Sequence, residues 1–152
     1  MLRIAVSAET SATPEQVLAF AGSDFSARRG TIWANVAANK LEVHERGDAH
    51  AEVTEYATGP AWFAWERSRY DWSEPGTVEQ TVLDSNVVEP GSTWQLRVSP
   101  REGGSTVEMT LVRTFRRSLA GQVGHALNRI GGRRGWAFYL RRTLKAVEKA
   151  AR

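Results

Sequence analysis

The chain contains no cysteine, so neither a disulfide framework nor a thiolate metal site can hold it together or supply its chemistry. A reducing, intracellular compartment is then the simplest home, and the expected location is the cytoplasm. Histidine is almost as scarce: His44, His50 and His125 are scattered without ligand spacing, so no metal site is expected. No apolar run approaches the about 20 residues of a membrane-spanning helix, and the stretch before Glu9 is too short for the core of a secretory signal. Phosphate loops are missing too. Neither Gly121-Gln122-Val123-Gly124 nor Gly131-Gly132 follows a strand with the spacing that nucleotides require, and no cofactor is expected. Serines are common, but with three histidines no group of nucleophile, base and orienting acid can be nominated.

What is present fits one globular domain over residues 1–152, long enough to bury a real core. Net charge is +3 but unevenly spread: residues 113–152 hold eleven Arg and Lys against the single Glu148, while residues 1–112 hold nine basic and sixteen acidic residues. The basic tail, with Arg134, Arg141, Arg142, Lys145 and Lys149, reads either as the solvated back of a helix or as a module that docks weakly on an anionic surface. No specific nucleic-acid contact is expected, and a monomer and a homodimer stay open.

Leu2-Arg3-Ile4-Ala5-Val6-Ser7 alternates apolar and polar, the period of a half-buried strand. Thr13-Pro14-Glu15-Gln16 supplies an N-cap, a proline at the first helical position and an early acid, so a helix starts there and Gly22 ends it. A second short helix is expected from about Ala27 through Val36. From Leu41 to Arg117 turn signals divide successive strands: Arg46-Gly47-Asp48, Thr58-Gly59-Pro60, Glu74-Pro75-Gly76, Glu89-Pro90-Gly91 and Glu102-Gly103-Gly104. That is an antiparallel meander. In its last hairpin Val98 should pair with Val107, which sets Arg97 opposite Glu108.

The period then changes. Leu119, Val123, Leu127, Ile130, Ala137, Leu140, Leu144 and Val147 recur at helical spacing, so a long terminal helix should lie on the sheet through this stripe. Gly131, Gly132 and Gly135 each disfavour helix by roughly 1 kcal/mol relative to alanine, which predicts a kink or break near Gly131.

Several stretches are familiar: Val6-Ser7-Ala8-Glu9-Thr10 leading to Thr13-Pro14-Glu15-Gln16-Val17, Trp65 through Trp72, Val87 through Trp94, and Gly103-Gly104-Ser105-Thr106-Val107. Over nearly its whole length the chain resembles the START-like superfamily, also called SRPBCC or Bet v 1-like, and within it the polyketide cyclase/dehydratase-type bacterial proteins. The resemblance implies an α+β helix-grip fold, with a curved antiparallel sheet of about seven strands around a long C-terminal helix and two short helices after the first strand. It also implies a cavity for a lipid-like, aromatic or polyketide-like molecule. These motifs are structural rather than catalytic, so they carry the fold further than any activity.

Strand alternation proposes what lines that cavity. The terminal hairpin turns Trp94, Leu96, Val98, Val107, Met109, Leu111, Arg113 and Phe115 inward, and the preceding strands contribute Glu66, Ser68, Tyr70 and Trp72 and then Val78, Gln80, Val82 and Asp84, a strand whose assignment a bulge would reverse. Trp33 and Trp136 should flank the mouth. The expected ligand site is therefore Trp33, Glu66, Tyr70, Trp72, Gln80, Trp94, Leu96, Met109, Leu111, Arg113, Trp136 and Leu140. Glu66, Tyr70, Gln80 and Arg113 are costly on an apolar face unless paired, so they either orient a ligand or satisfy one another as a Glu66–Arg113 ion pair. Three functions follow: a carrier of a small apolar or aromatic molecule, a cyclase or dehydratase using Glu66, Tyr70 or Arg113, and the anionic-surface module.

Overall fold

The computed structural model describes all of residues 1–152. Strand β1 (Leu2–Thr10) buries Ile4, Val6 and Thr10 and turns Arg3, Ala5, Ser7 and Glu9 outward. It runs beyond the expected Ser7 because Ala8 and Thr10 keep the inward phase. Thr13 then caps α1 (Pro14–Val17) reciprocally: its hydroxyl accepts the Gln16 N–H, and the Gln16 side chain accepts the Thr13 N–H. The chain continues as a π-helical turn over Leu18–Gly22. Gly22 lies against Val78, where an added β-carbon would stand 2.6 Å from the valine side chain, so only glycine permits this approach.

The second helix is shorter than its expected Ala27–Val36 span. Only α2 (Arg29–Ile32) is helical, and Trp33 leaves it in extended backbone with its indole N–H donating to Ala21 C=O at 2.8 Å.

Six strands follow: β2 (Glu42–Arg46), β3 (His50–Tyr56), β4 (Trp65–Asp71), β5 (Thr77–Ser85), β6 (Thr93–Arg101) and β7 (Gly104–Arg113). All pairs are antiparallel in the order β1-β7-β6-β5-β4-β3-β2. The five turn signals fall at the five connections of this meander, and Val98 opposes Val107 with Arg97 opposite Glu108. One bulge corrects the inward set. Pairing between β4 and β5 shifts at Arg67/Ser68, which turns Asp84 to solvent and buries Ser85 in its place.

The sheet grips α3 (Leu119–Ala150), capped by the Ser118 hydroxyl accepting from Gly121 N–H. The break falls at Gly132, with φ 54° and ψ −152°, a conformation essentially reserved for glycine. Beyond it Leu140, Leu144 and Val147 are sealed into the main core with Ile4, Val6, Leu96 and Met109. Before it the expected stripe fails: Leu119 and Ile130 are 78 % and 84 % exposed, and Val123 is also exposed. Here the helix presents Gly121 and Gly124 instead, and an added β-carbon on Gly124 would stand 2.4 Å from Val87. Close approach through glycine outweighs burial of the stripe. No helix is long and apolar enough to cross a membrane.

At its far end α3 is tied to β1: the Thr10 hydroxyl and the Ser11 N–H donate to Glu148 Oε1 at 2.7 and 3.2 Å. The Thr10 hydroxyl first, then Ser11, Arg152 and Lys145, hold this carboxyl below its ordinary 4.5. The native state therefore takes up this proton less readily than the unfolded chain. The stabilisation is complete above 4.5 and fades as pH falls through the lower native value. Glu148→Ala should cost about 0.5–1 kcal/mol at neutral pH, with the gap to the parent closing in acid; urea denaturation across pH would show it, and a gap widening below pH 4.5 would refute the tether. Gly132→Ala should lower stability by about 1–3 kcal/mol through its backbone alone, whereas Gly135→Ala, with open space around it, should raise it by up to about 1 kcal/mol. Equal effects of these two substitutions in urea melts would show that the break is not held by glycine.

Candidate ligand cavity

A cavity of about 480 Å³ separates the sheet from the middle of α3. Its cause lies in packing at two levels. The main core closes one side, and a smaller cluster of Val82, Val87 and Val88, backed by Phe63 and Phe115, closes the other. Between them α3 passes over with Gly131, Gly132 and Gly135, where an added β-carbon would meet nothing within 4 Å. At these three positions the helix supplies no side chain to fill the space beneath it. Asn128 and Trp136 clip the break from either side, the indole N–H donating to Asn128 Oδ1 at 3.0 Å while Asn128 Nδ2 donates to Gly124 C=O at 2.9 Å.

Aromatic rings form much of the wall. Trp33 meets Trp94 edge to face at 5.6 Å between centroids, and Tyr70 meets Trp94 at 6.3 Å. Seventeen of thirty lining residues are hydrophobic, so an occupant would be held mainly by apolar burial.

Two polar networks interrupt this wall. In the first, Arg113 Nη1 donates to Glu66 Oε1 at 2.9 Å and its Nη2 to Gln80 Oε1 at 3.2 Å; Gln80 Nε2 donates to Glu66 Oε2 at 3.0 Å and to Ser68 Oγ at 2.9 Å. In the second, Arg29 Nε donates to Glu55 Oε2 at 2.8 Å, and the Tyr70 hydroxyl donates to Glu55 Oε1. Arg29 also donates to Gly22 and Asp24 carbonyls and stacks over Phe25 at 4.4 Å. Burial alone would lower the Arg29 pKa, but the Glu55 carboxylate and Tyr70 hold it above its ordinary value, so the guanidinium stays charged. Burial, followed by the Glu55 charge, pushes the Tyr70 phenol well above 10.0, so it stays a protonated donor. Asn35 Oδ1, on the same wall, is buried without a hydrogen-bond partner.

Of the residues expected from sequence, Trp33, Glu66, Tyr70, Gln80, Trp94, Leu111, Arg113 and Trp136 line the cavity. Trp72, Leu96, Met109 and Leu140 do not. Alternation fixes the face of a strand but not the level along it: Leu96, Met109 and Leu140 are sealed in the core, where the second half of α3 covers the sheet. Trp72 sits at the strand's far end, donating to Asp48 C=O at 3.0 Å beneath the Arg46 guanidinium. Arg29, Glu55, Asn35, Asn128 and Tyr139 line the cavity without having been expected. Glu55 was legible in principle, since it shares the phase of the buried Ala51 and Val53. Arg29 carried no signal, because nothing in Arg28-Arg29-Gly30 distinguishes the buried arginine from the exposed one.

A curved antiparallel sheet closed over a long terminal helix, with an aromatic cavity between them, defines the helix-grip class. Solved structures agree. The chain superposes on the Zhui aromatase/cyclase of Streptomyces sp. R1128 with a TM-score of 0.79 at 16 % identity, covering 99 % of this chain and 96 % of that one. For the protein TTHA0849 of Thermus thermophilus the TM-score is 0.78 at 16 % identity, over 99 % and 100 % of the two chains. A START superfamily protein of Mycobacterium smegmatis gives 0.66 at 9 % identity, over 97 % and 98 %. No family model matches the chain, and no curated protein matches it in sequence. The chain has the START-like fold, shared with the polyketide cyclase and Bet v 1-like proteins.

Arg113 and Glu66 are 10 % and 25 % exposed, so breaking the pair strands a charge in a poorly solvated wall. Arg113→Met should cost about 3 kcal/mol, and adding Glu66→Leu should recover most of it. A denaturation cycle in which the double variant is no more stable than Arg113→Met alone would contradict this pairing.

Proposed function

We propose that the protein binds a small, predominantly apolar aromatic molecule in the cavity under the glycine break of α3. The observation that carries this reading is the unfilled volume of about 480 Å³ itself, walled by Trp33, Tyr70 and Trp94 and kept open by three glycines. It lies within the size range of small-molecule sites, about 300–1,000 Å³. Glu66, Tyr70, Gln80 and Arg113, with Glu55, Arg29 and Asn35, would orient the polar groups of the occupant. Both arginines already face glutamates, so the wall is balanced in charge and favours neutral hydroxyl or carbonyl groups over a free carboxylate.

Native mass spectrometry of protein purified from its own host should show a bound small molecule. Its rebinding should quench tryptophan emission, and Trp136→Ala should weaken it by roughly tenfold through loss of an aromatic contact at the mouth. An empty protein that takes up no aromatic probe, from naphthalene to larger fused rings, would end the container reading.

A second reading, an enzyme of polyketide cyclase or dehydratase type, is supported by the two carboxylates and the protonated phenol gathered on one wall. A fold neighbour that is an aromatase/cyclase points the same way. Turnover separates the two readings: in an enzyme Glu66→Gln lowers rate far more than affinity, and in a carrier only affinity moves.

A further inference from the structure

The first half of α3 carries an apolar face that nothing in the molecule covers. Leu119, Val123, Ala126 and Ile130 recur at intervals of four, three and four, which puts them on one side of an α-helix, and all four are exposed. The other side of the same turns, through Gly121, Gly124 and Leu127, faces the sheet and the cavity. Ile130 stands at the rim of the cavity. So do Pro60 and Ala61, which lead directly to Trp62, itself 68 % exposed.

Arginines stand within this stretch and at both of its ends in sequence. Arg117, Arg129, Arg133 and Arg134 are exposed, and the ion pairs of the basic tail belong to Arg113 and Arg116 instead. The only acid beyond Arg113 is Glu148, near the opposite end of the helix and held by Thr10.

We infer that this rim is a docking surface for an anionic phospholipid bilayer. An apolar helical stripe flanked by arginines, with an exposed tryptophan beside it, suits the plane of a membrane interface: the stripe enters the boundary of the acyl chains while guanidinium groups meet lipid phosphates. Charge decides between occupants. A second copy docked face to face would set Arg117, Arg129, Arg133 and Arg134 against the same arginines, and the carboxylates nearest the start of the helix, Asp84 and Glu89, are already paired with Arg116, whereas an anionic bilayer supplies the missing sign. The contact is peripheral, since no helix is long and apolar enough to cross. Docking on this face sets Ile130, Pro60 and Ala61 of the cavity lining against the bilayer. Under the proposed carrier function, on which this step rests, an apolar occupant then exchanges with the membrane without crossing water.

Vesicle co-sedimentation of the full chain at low salt tests this with phosphatidylcholine alone and with phosphatidylcholine mixed with phosphatidylglycerol. Binding is expected to the anionic vesicles only, weakening as salt approaches physiological strength. Arg129→Gln with Arg133→Gln should lower the partition coefficient roughly thirtyfold, as two interfacial basic residues predict. Leu119→Ser with Val123→Ser should lower it by about tenfold or more. None of these four residues lines the cavity, so circular dichroism and probe binding should match the parent. Equal binding to neutral and anionic vesicles overturns the inference, as does binding to neither. A concentration-dependent dimer that disappears in the serine variant also overturns it, and assigns the face to a second copy.

Discussion

Two like charges set side by side govern the interior. Glu55 and Glu66 are direct cross-strand partners on β3 and β4, and both face the cavity. Opposed carboxylates on one face of a sheet repel, and a poorly solvated wall strengthens the repulsion. Each is neutralised by its own arginine, and the two arginines come from different parts of the chain: Arg29 from the short helix after β1 and Arg113 from the end of β7. The need for charge balance thus pins α2 to one side of the cavity and the last strand to the other. Tyr70 and Gln80 complete the hydrogen bonding from beneath, so the wall is fully paired except at Asn35.

That pairing would not by itself leave a space. The space exists because α3 is held at both ends and carries three glycines between them. Leu140, Leu144 and Val147 lock its second half into the core, and Gly124 seats its first half against Val87. The intervening glycines supply no side chains, and collapse of the helix onto the wall would press it against two ion pairs whose charges need polar surroundings. Polar wall and glycine break therefore keep the cavity open together.

The architecture was legible because its signals are local. Thr13-Pro14 starts α1, five turn signals mark five connections, and the alternation of Trp94 through Val98 against Val107 through Leu111 fixes one register only. The inward polar residues Glu66, Tyr70, Gln80 and Arg113 emerged from the same alternation. Their partners did not, since an ion pair between α2 and β3 joins residues twenty-six apart in sequence and neither side chain advertises the other. Depth was equally hidden: Leu96 and Leu111 share a face, but only the latter reaches the cavity, and the difference depends on where α3 breaks.

The misread stripe of α3 shows why period alone underdetermines a helix. Leu119, Val123 and Ile130 fit the same spacing as Leu140, Leu144 and Val147, but glycine changes which side can approach the sheet. At Gly121 and Gly124 the backbone itself becomes the contact surface, with Arg116 and Val87 too near for any β-carbon. A helix packed through glycines lies closer than one packed through leucines, and its apolar side chains are then free to face outward. The break at Gly132 lets the two halves adopt these different arrangements in one element. One half seals the core, and the other leaves an apolar face beside the cavity mouth.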